Sequence, residues 1–120
     1  MRTWLTLAAL AGFVCVMAGA FAAHGMGDPR AQDLLRTGSL YGFVHVLATL
    51  ACAPLVAQGA ARARLAPPLF LTGVALFSTS LFALAFGAPR WVGAITPFGG
   101  LSFLAGWAVL AWAVRGVGGA

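Results

Sequence analysis

Charged side chains are confined to the short intervals beside four long apolar runs, or to their ends, the runs lying at residues 3–23, 37–58, 67–87 and 96–115. A helix rises about 1.5 Å per residue and the hydrocarbon core of a bilayer is about 30 Å thick, so about 20 apolar residues are enough to cross it. Within lipid every main-chain amide and carbonyl must be satisfied inside the protein, which leaves helices or a closed barrel. Unbroken apolar runs lack the alternation of barrel strands. The pattern predicts an all-α, polytopic membrane protein, a four-transmembrane-helix bundle that forms one domain over residues 1–120.

The intervals between the runs carry helix start and stop signals. His24-Gly25-Met26-Gly27 is a turn that a helix does not easily cross, and Asp28-Pro29 then supplies a capping oxygen and a proline suited to the first helical turn. Thr96-Pro97 repeats that logic, so Asp28 and Thr96 are both expected helix caps. From Pro29 the helical pattern runs on to Gln58, longer than the membrane is thick. Its first two turns, 29–36, are therefore expected in the interface, with Leu34 and Leu35 against acyl chains and Arg30, Gln32, Asp33 and Arg36 among headgroups. Pro54 is expected to bend this helix. The connection over 59–66 is short, so the second and third spans are expected to be antiparallel neighbours, with Pro67-Pro68 opening the third. Residues 87–94 connect the third and fourth spans, with Arg90 and Trp91 as interfacial anchors, and the tail 116–120 is expected to fray.

Composition sharpens this picture. Hydrophobic residues make up 62% of the 120 and charged residues 8%, which leaves little material for a domain outside the membrane. The formal charge of +5 raises the question of nucleic acid, but the basic residues are Arg2, Arg30, Arg36, Arg62, Arg64, Arg90 and Arg115, all in connections or at span ends. They flank a membrane and form no phosphate-binding stripe, so the expected partner is the lipid bilayer, with no nucleic acid. Even crossings put both termini on one side, with Arg2, Arg62, Arg64 and Arg115 there and Arg30, Arg36 and Arg90 opposite. The excess favours an orientation with both termini in the cytoplasm. Met1-Arg2 followed by an apolar run and Ala20-Phe21-Ala22-Ala23 resembles a secretory signal. The run exceeds the usual signal core of about 7–15 residues, however, and carries small residues at four-residue spacing, so it is expected to stay as a span.

Candidate chemistry concentrates in the second span. Tyr41, His45, Thr49 and Cys52 step by four, four and three and so share one helix stripe, beside which Gly38 and Gly42 have the close-approach spacing. A histidine in a span is costly to expose to lipid, so His45 should face the interior and find a hydrogen-bond partner. Proton transfer and metal or haem ligation are the functional readings of His45, and a neutral ring fastening the bundle is the bland one. His24, at the end of the first span, lies about 10–15 Å above it by helical rise, so the two make a poor ligand pair. Cys15 and Cys52 fall within spans and read as small packing residues. The only side-chain carboxylates, Asp28 and Asp33, sit in one connection, which leaves no acid inside the bundle for ion coupling. No nucleophile–base pair, metal-ligand set or phosphate loop is recognisable, so no enzyme activity, metal or cofactor is expected. Gly73 and Ser78-Thr79-Ser80 in the third span, with Gly99, Gly100, Ser102 and Gly106 in the fourth, read as tight helix contacts. Phe70, Phe77, Phe82, Phe86, Phe103, Trp107 and Trp112 read as packing and lipid-facing bulk.

Several segments together resemble a known family. Gly19-Ala20-Phe21-Ala22-Ala23-His24-Gly25, Tyr41 through His45 with Ala48, Leu76-Phe77-Ser78 with Ser80-Leu81, and Ile95-Thr96-Pro97-Phe98-Gly99-Gly100 occur in the order found in the domain-of-unknown-function-423 family. That family comprises small four-span bacterial membrane proteins and looks related to animal transmembrane protein 256. Two positions depart from its pattern: Gly42 stands where a polar residue often follows the tyrosine, and Ala22 where glycine is usual. The resemblance implies a fold, a membrane location and a retained first span, and it transfers no activity. The reading is a non-enzymatic accessory or stabilising component, a homo-oligomer or a subunit against a larger membrane-protein partner. The alternatives are a small homo-oligomeric transporter or channel and, more weakly, a cofactor-binding redox subunit using His45 or His24.

Overall fold

The computed structural model describes residues 1–119. Its four helices, α1 (Arg2–His24), α2 (Pro29–Ala57), α3 (Ala61–Ala85) and α4 (Arg90–Val117), are each long and apolar enough to cross a bilayer, and the described residues form no strand. The protein is an integral, multi-pass, all-α membrane protein. Its longest dimension is 52 Å against 26 and 22 Å across, so the bundle spans the hydrocarbon and reaches into both headgroup layers.

Local chemistry sets the helix ends. Asp28 is extended (φ −79°, ψ 123°) and its carboxylate accepts the Ala31 amide at 3.1 Å, which satisfies one of the donors that a helix start leaves free. The side-chain amide of Gln32 reaches back to the Met26 carbonyl at 2.5 Å and ties the Gly25–Asp28 turn onto the helix it precedes. α2 stops at the opposite face, where Gly59 adopts φ 106°, and α3 crosses back to the first face and stops likewise at Gly87 with φ 96°. Only glycine takes these left-handed values without strain. α2 continues through Pro54 to Ala57, and Leu35 is buried against α1 and α3 where acyl-chain contact was expected.

Two helices begin earlier than their apolar runs. α3 opens with a tight 3-10 turn over Ala61–Leu65, and α4 with another over Arg90–Ala94, so the true connections are only a few residues long. This corrects the cap expected at Thr96. The helix already runs through Ile95, whose carbonyl takes the Phe98 amide at 3.1 Å, and the Thr96 hydroxyl meets the Ser80 hydroxyl of α3 at 2.5 Å. The tail expected to fray continues as 3-10 turns to Gly119, with Val117 packed at the Ala60–Ala63–Ala113 cluster. Ala120 lies outside the described residues.

α1 and α2 pack along their length, α3 lies against a second face of α2, and α4 leans on α3. Met1 packs at the cluster of Ala48, Cys52, Ala66 and Phe70 together with Val109 and Leu110, so both ends of the chain share one face with the α2–α3 connection. Between Gly73 and Thr79 the third helix loosens into a π-helical turn, Val74–Ser78. Gly99 of α4 presses there against the Phe77 main chain, so close that a β-carbon on residue 99 would stand 2.7 Å from Phe77 Cβ. The widened turn and the bare glycine fit one another, which lets α3 and α4 approach backbone to backbone.

Candidate functional site

The second-span stripe folds onto three neighbouring elements, and His45 is its centre. The residue is 5% exposed, low enough that both ring nitrogens need protein partners. Nδ1 lies 2.6 Å from the Tyr41 carbonyl one turn earlier in α2, and Nε2 accepts the indole N–H of Trp107 in α4 at 2.9 Å. A carbonyl only accepts and an indole N–H only donates, so these two partners dictate a neutral ring with its proton on Nδ1. Phe103 stacks on the imidazole at a centroid distance of 3.6 Å and an interplanar angle of 7°. Phe70 meets its edge at 5.6 Å and packs against Trp107 at 5.1 Å. Both nitrogens are thus engaged by protein groups.

The other stripe residues serve the same join. The Thr49 hydroxyl bonds the His45 carbonyl at 2.8 Å, and the Cys52 thiol lies 3.3 Å from the Ala48 carbonyl. Tyr41 is about half exposed and packs on Phe77 at 5.1 Å, so it marks the lipid-side rim of the cluster. Gly38 and Gly42 line the contact with α1 and α3: a β-carbon at Gly42 would stand 2.5 Å from Cys15 Sγ and 2.8 Å from Ser78 Oγ, and one at Gly38 would stand 2.7 Å from Phe82. The close-approach face is thus satisfied within the chain, and substitutions there act on the fold before any association between chains. His24 is exposed at the end of α1 and is not brought to the cluster. Both cysteines are free and buried.

Hydroxyls within the spans fasten helix to helix. Ser39 of α2 donates to the Cys15 carbonyl of α1 at 2.6 Å, Ser78 of α3 to the Gly38 carbonyl of α2 at 2.7 Å, and Ser102 of α4 to the Leu69 carbonyl of α3 at 2.7 Å. Among the described residues no buried side-chain nitrogen or oxygen lacks a partner, and no group of His, Cys, Asp or Glu is placed to hold a metal ion. Sequence reasoning missed Trp107 and Ser39. A usable signal for Trp107 was present. α2 and α4 run in the same direction, and counting from residues 37 and 96 puts His45 and Trp107 about 12 and 17 Å down their spans, at similar depth.

Over residues 18–100 the chain matches the family described as protein of unknown function (DUF423). The chain belongs to the DUF423 family. The DUF423 match takes in His24, Asp28, Gly38, Tyr41, Gly42, His45, Thr49 and Thr96 and stops short of Trp107. Relatives extend across nearly the whole chain. A UPF0382 membrane protein of Haemophilus influenzae is 46% identical over 112 residues, covering 91% of this chain and 90% of its own. The UPF0382 inner membrane protein YgdD of Escherichia coli K12 is 37% identical over 113 residues, covering 91% and 86%. A UPF0382 membrane protein of Schizosaccharomyces pombe is 34% identical over 119 residues, covering 92% and 98%, so such relatives are not confined to bacteria. No solved structure matches. With these relatives, the four spans locate this DUF423 protein in the cytoplasmic membrane.

Proposed function

We propose that this protein is a non-enzymatic accessory component of the membrane, a compact helical unit that stabilises an assembly of itself or of a larger membrane protein. The observation that carries the reading is where the polar groups inside the bundle go. His45, Thr49, Ser39, Ser78, Ser80 and Ser102 are each engaged with another element or with their own helix, and His45 is held neutral between a carbonyl and an indole. Groups so engaged secure a rigid shape, and none of these six side chains is left free to act as acid, base or nucleophile. The same engagement weighs against a small transporter, whose path would draw on His45 and the hydroxyls of residues 78–80.

The outer surface is consistent with contact as the protein's business. Phe98, Leu101, Leu104 and Trp107 of α4 and Leu40, Tyr41, Val44 and Leu47 of α2 present large apolar side chains outward. In lipid alone such side chains gain little from meeting one another, so association relies on shape and packing. The test is to extract the tagged protein from its native membrane in mild detergent and determine the mass and composition of the complex. A stoichiometric larger subunit or a defined homo-oligomer is expected. A lone monomer that, once reconstituted, supports a pH-dependent flux abolished by His45→Gln would overturn the accessory reading in favour of transport.

A further inference from the structure

The end of the bundle that holds both chain termini carries a feature the helix contacts do not explain. Arg62, in the 3-10 turn opening α3, lies with its guanidinium 4.1 Å from the centre of the Trp112 ring of α4. Arg115 stands one turn further along α4. Together with Gly116 these residues line an open surface hollow of about 360 Å³. The cation–π contact holds Arg62 over the ring and fixes its donor edge beside the hollow. Gly116 borders the hollow, and a β-carbon there would stand 4.0 Å from the Gly59 carbonyl.

Nothing in the sequence offers these arginines an acidic side chain. The chain has two side-chain carboxylates, Asp28 and Asp33, and both belong to the opposite end, around the start of α2. Four arginines, Arg2, Arg62, Arg64 and Arg115, therefore share one face with no carboxylate side chain among them. Trp112 is half exposed near the polar end of its span, where tryptophan is enriched at the membrane boundary, and this places the hollow at headgroup level.

We infer that Arg62, Trp112 and Arg115 form a binding site for the phosphodiester headgroup of an anionic phospholipid. The two guanidiniums donate to the phosphate oxygens, with Arg62 held in place by the indole, and the acyl chains run down the apolar outer face of α4. This inference does not depend on the accessory reading, because it concerns a different end of the molecule and a lipid rather than a protein.

Native mass spectrometry of the intact protein in detergent tests it, with dioleoyl-phosphatidylglycerol as probe and dioleoyl-phosphatidylcholine as control. Each basic residue near a membrane surface contributes about 1 kcal/mol toward anionic lipid. Phosphatidylglycerol binding should therefore weaken roughly 30-fold in Arg62→Gln/Arg115→Gln and about fivefold in Arg115→Gln alone, which leaves the Arg62–Trp112 contact intact. Arg30→Gln/Arg36→Gln removes the same charge from the far end and should leave binding unchanged. An equal loss in both double variants would reduce the effect to net charge and overturn the site. So would phosphatidylcholine binding as tightly as phosphatidylglycerol. Displacement of the lipid by glycerol 3-phosphate at matching concentration would assign the hollow to a free phosphate and overturn the lipid headgroup. Should the double variant not fold, Arg115→Gln decides: undiminished binding there sinks the proposal.

Discussion

At the scale of single residues, the informative object is an imidazole whose protonation is written by its neighbours. His45 was legible in the sequence as a costly polar group needing an interior partner, because a histidine in an apolar span has few alternatives. Its partner was not legible. Trp107 reads as bulk in an apolar run, and its role depends on two helices meeting at one depth with the indole N–H turned inward. Removing that donor should leave Nε2 of His45 unpartnered in an apolar setting. Trp107→Phe is expected to cost about 1 kcal/mol in denaturant titrations of the detergent-solubilised protein, in the range of hydrogen bonds between membrane helices. Nitrogen NMR of labelled histidine checks the same point, since the wild-type ring should show a protonated Nδ1 and a bare Nε2. A protonated Nε2 would sink the assignment.

At the scale of helices, two adjacent glycines behave oppositely. Gly99 faces the Phe77 main chain, whereas a β-carbon at Gly100 meets nothing within 4 Å. Gly99→Ala forces two backbones apart and should destabilise by about 1–3 kcal/mol, as overpacking does. Gly100→Ala should be neutral or stabilising by about 0.5–1 kcal/mol, through the helix preference for alanine alone. Thermal melts of the two variants in one detergent provide the comparison, and equal melting shifts would contradict the close α3–α4 contact. The four spans could be read from the apolar runs because lipid permits few alternatives. The starts of α3 and α4 could not, since 3-10 turns over residues such as Arg62 and Arg90 carry no apolar signal. The Val74–Ser78 π turn likewise lies where Gly99 of α4 presses on Phe77, a contact between helices that the apolar pattern of α3 alone does not show. Asp28 and Thr96 show the same limit from the other side. Both precede a proline, yet only Asp28 follows a true break in the helix, so only its side chain finds a free amide to accept.

At the scale of the whole molecule, charge distinguishes the two ends. One carries Arg2, Arg62, Arg64 and Arg115, and the other carries Arg30, Arg36 and Arg90 offset by Asp28 and Asp33. Basic residues in short connections are held on the cytoplasmic side, so both termini are expected there. A reporter that matures only in the cytoplasm should be active when fused after Ala120 and inactive when inserted between Gly25 and Gly27. The reverse pattern would invert the orientation.

The hydroxyl clamps between helices have a consequence for how such a chain can vary. Ser39, Ser78 and Ser102 each donate to a main-chain carbonyl, at Cys15, Gly38 and Leu69. A carbonyl oxygen survives any substitution of the residue that bears it, while a hydroxyl does not. Each join therefore constrains one helix and leaves the other free: donor positions should tolerate serine or threonine and little else, whereas positions 15 and 69 can drift with only their size under selection. Position 38 is the exception, because there the space for Phe82 adds a demand of its own. A bundle tied together this way can diverge widely in sequence while its helices keep their places.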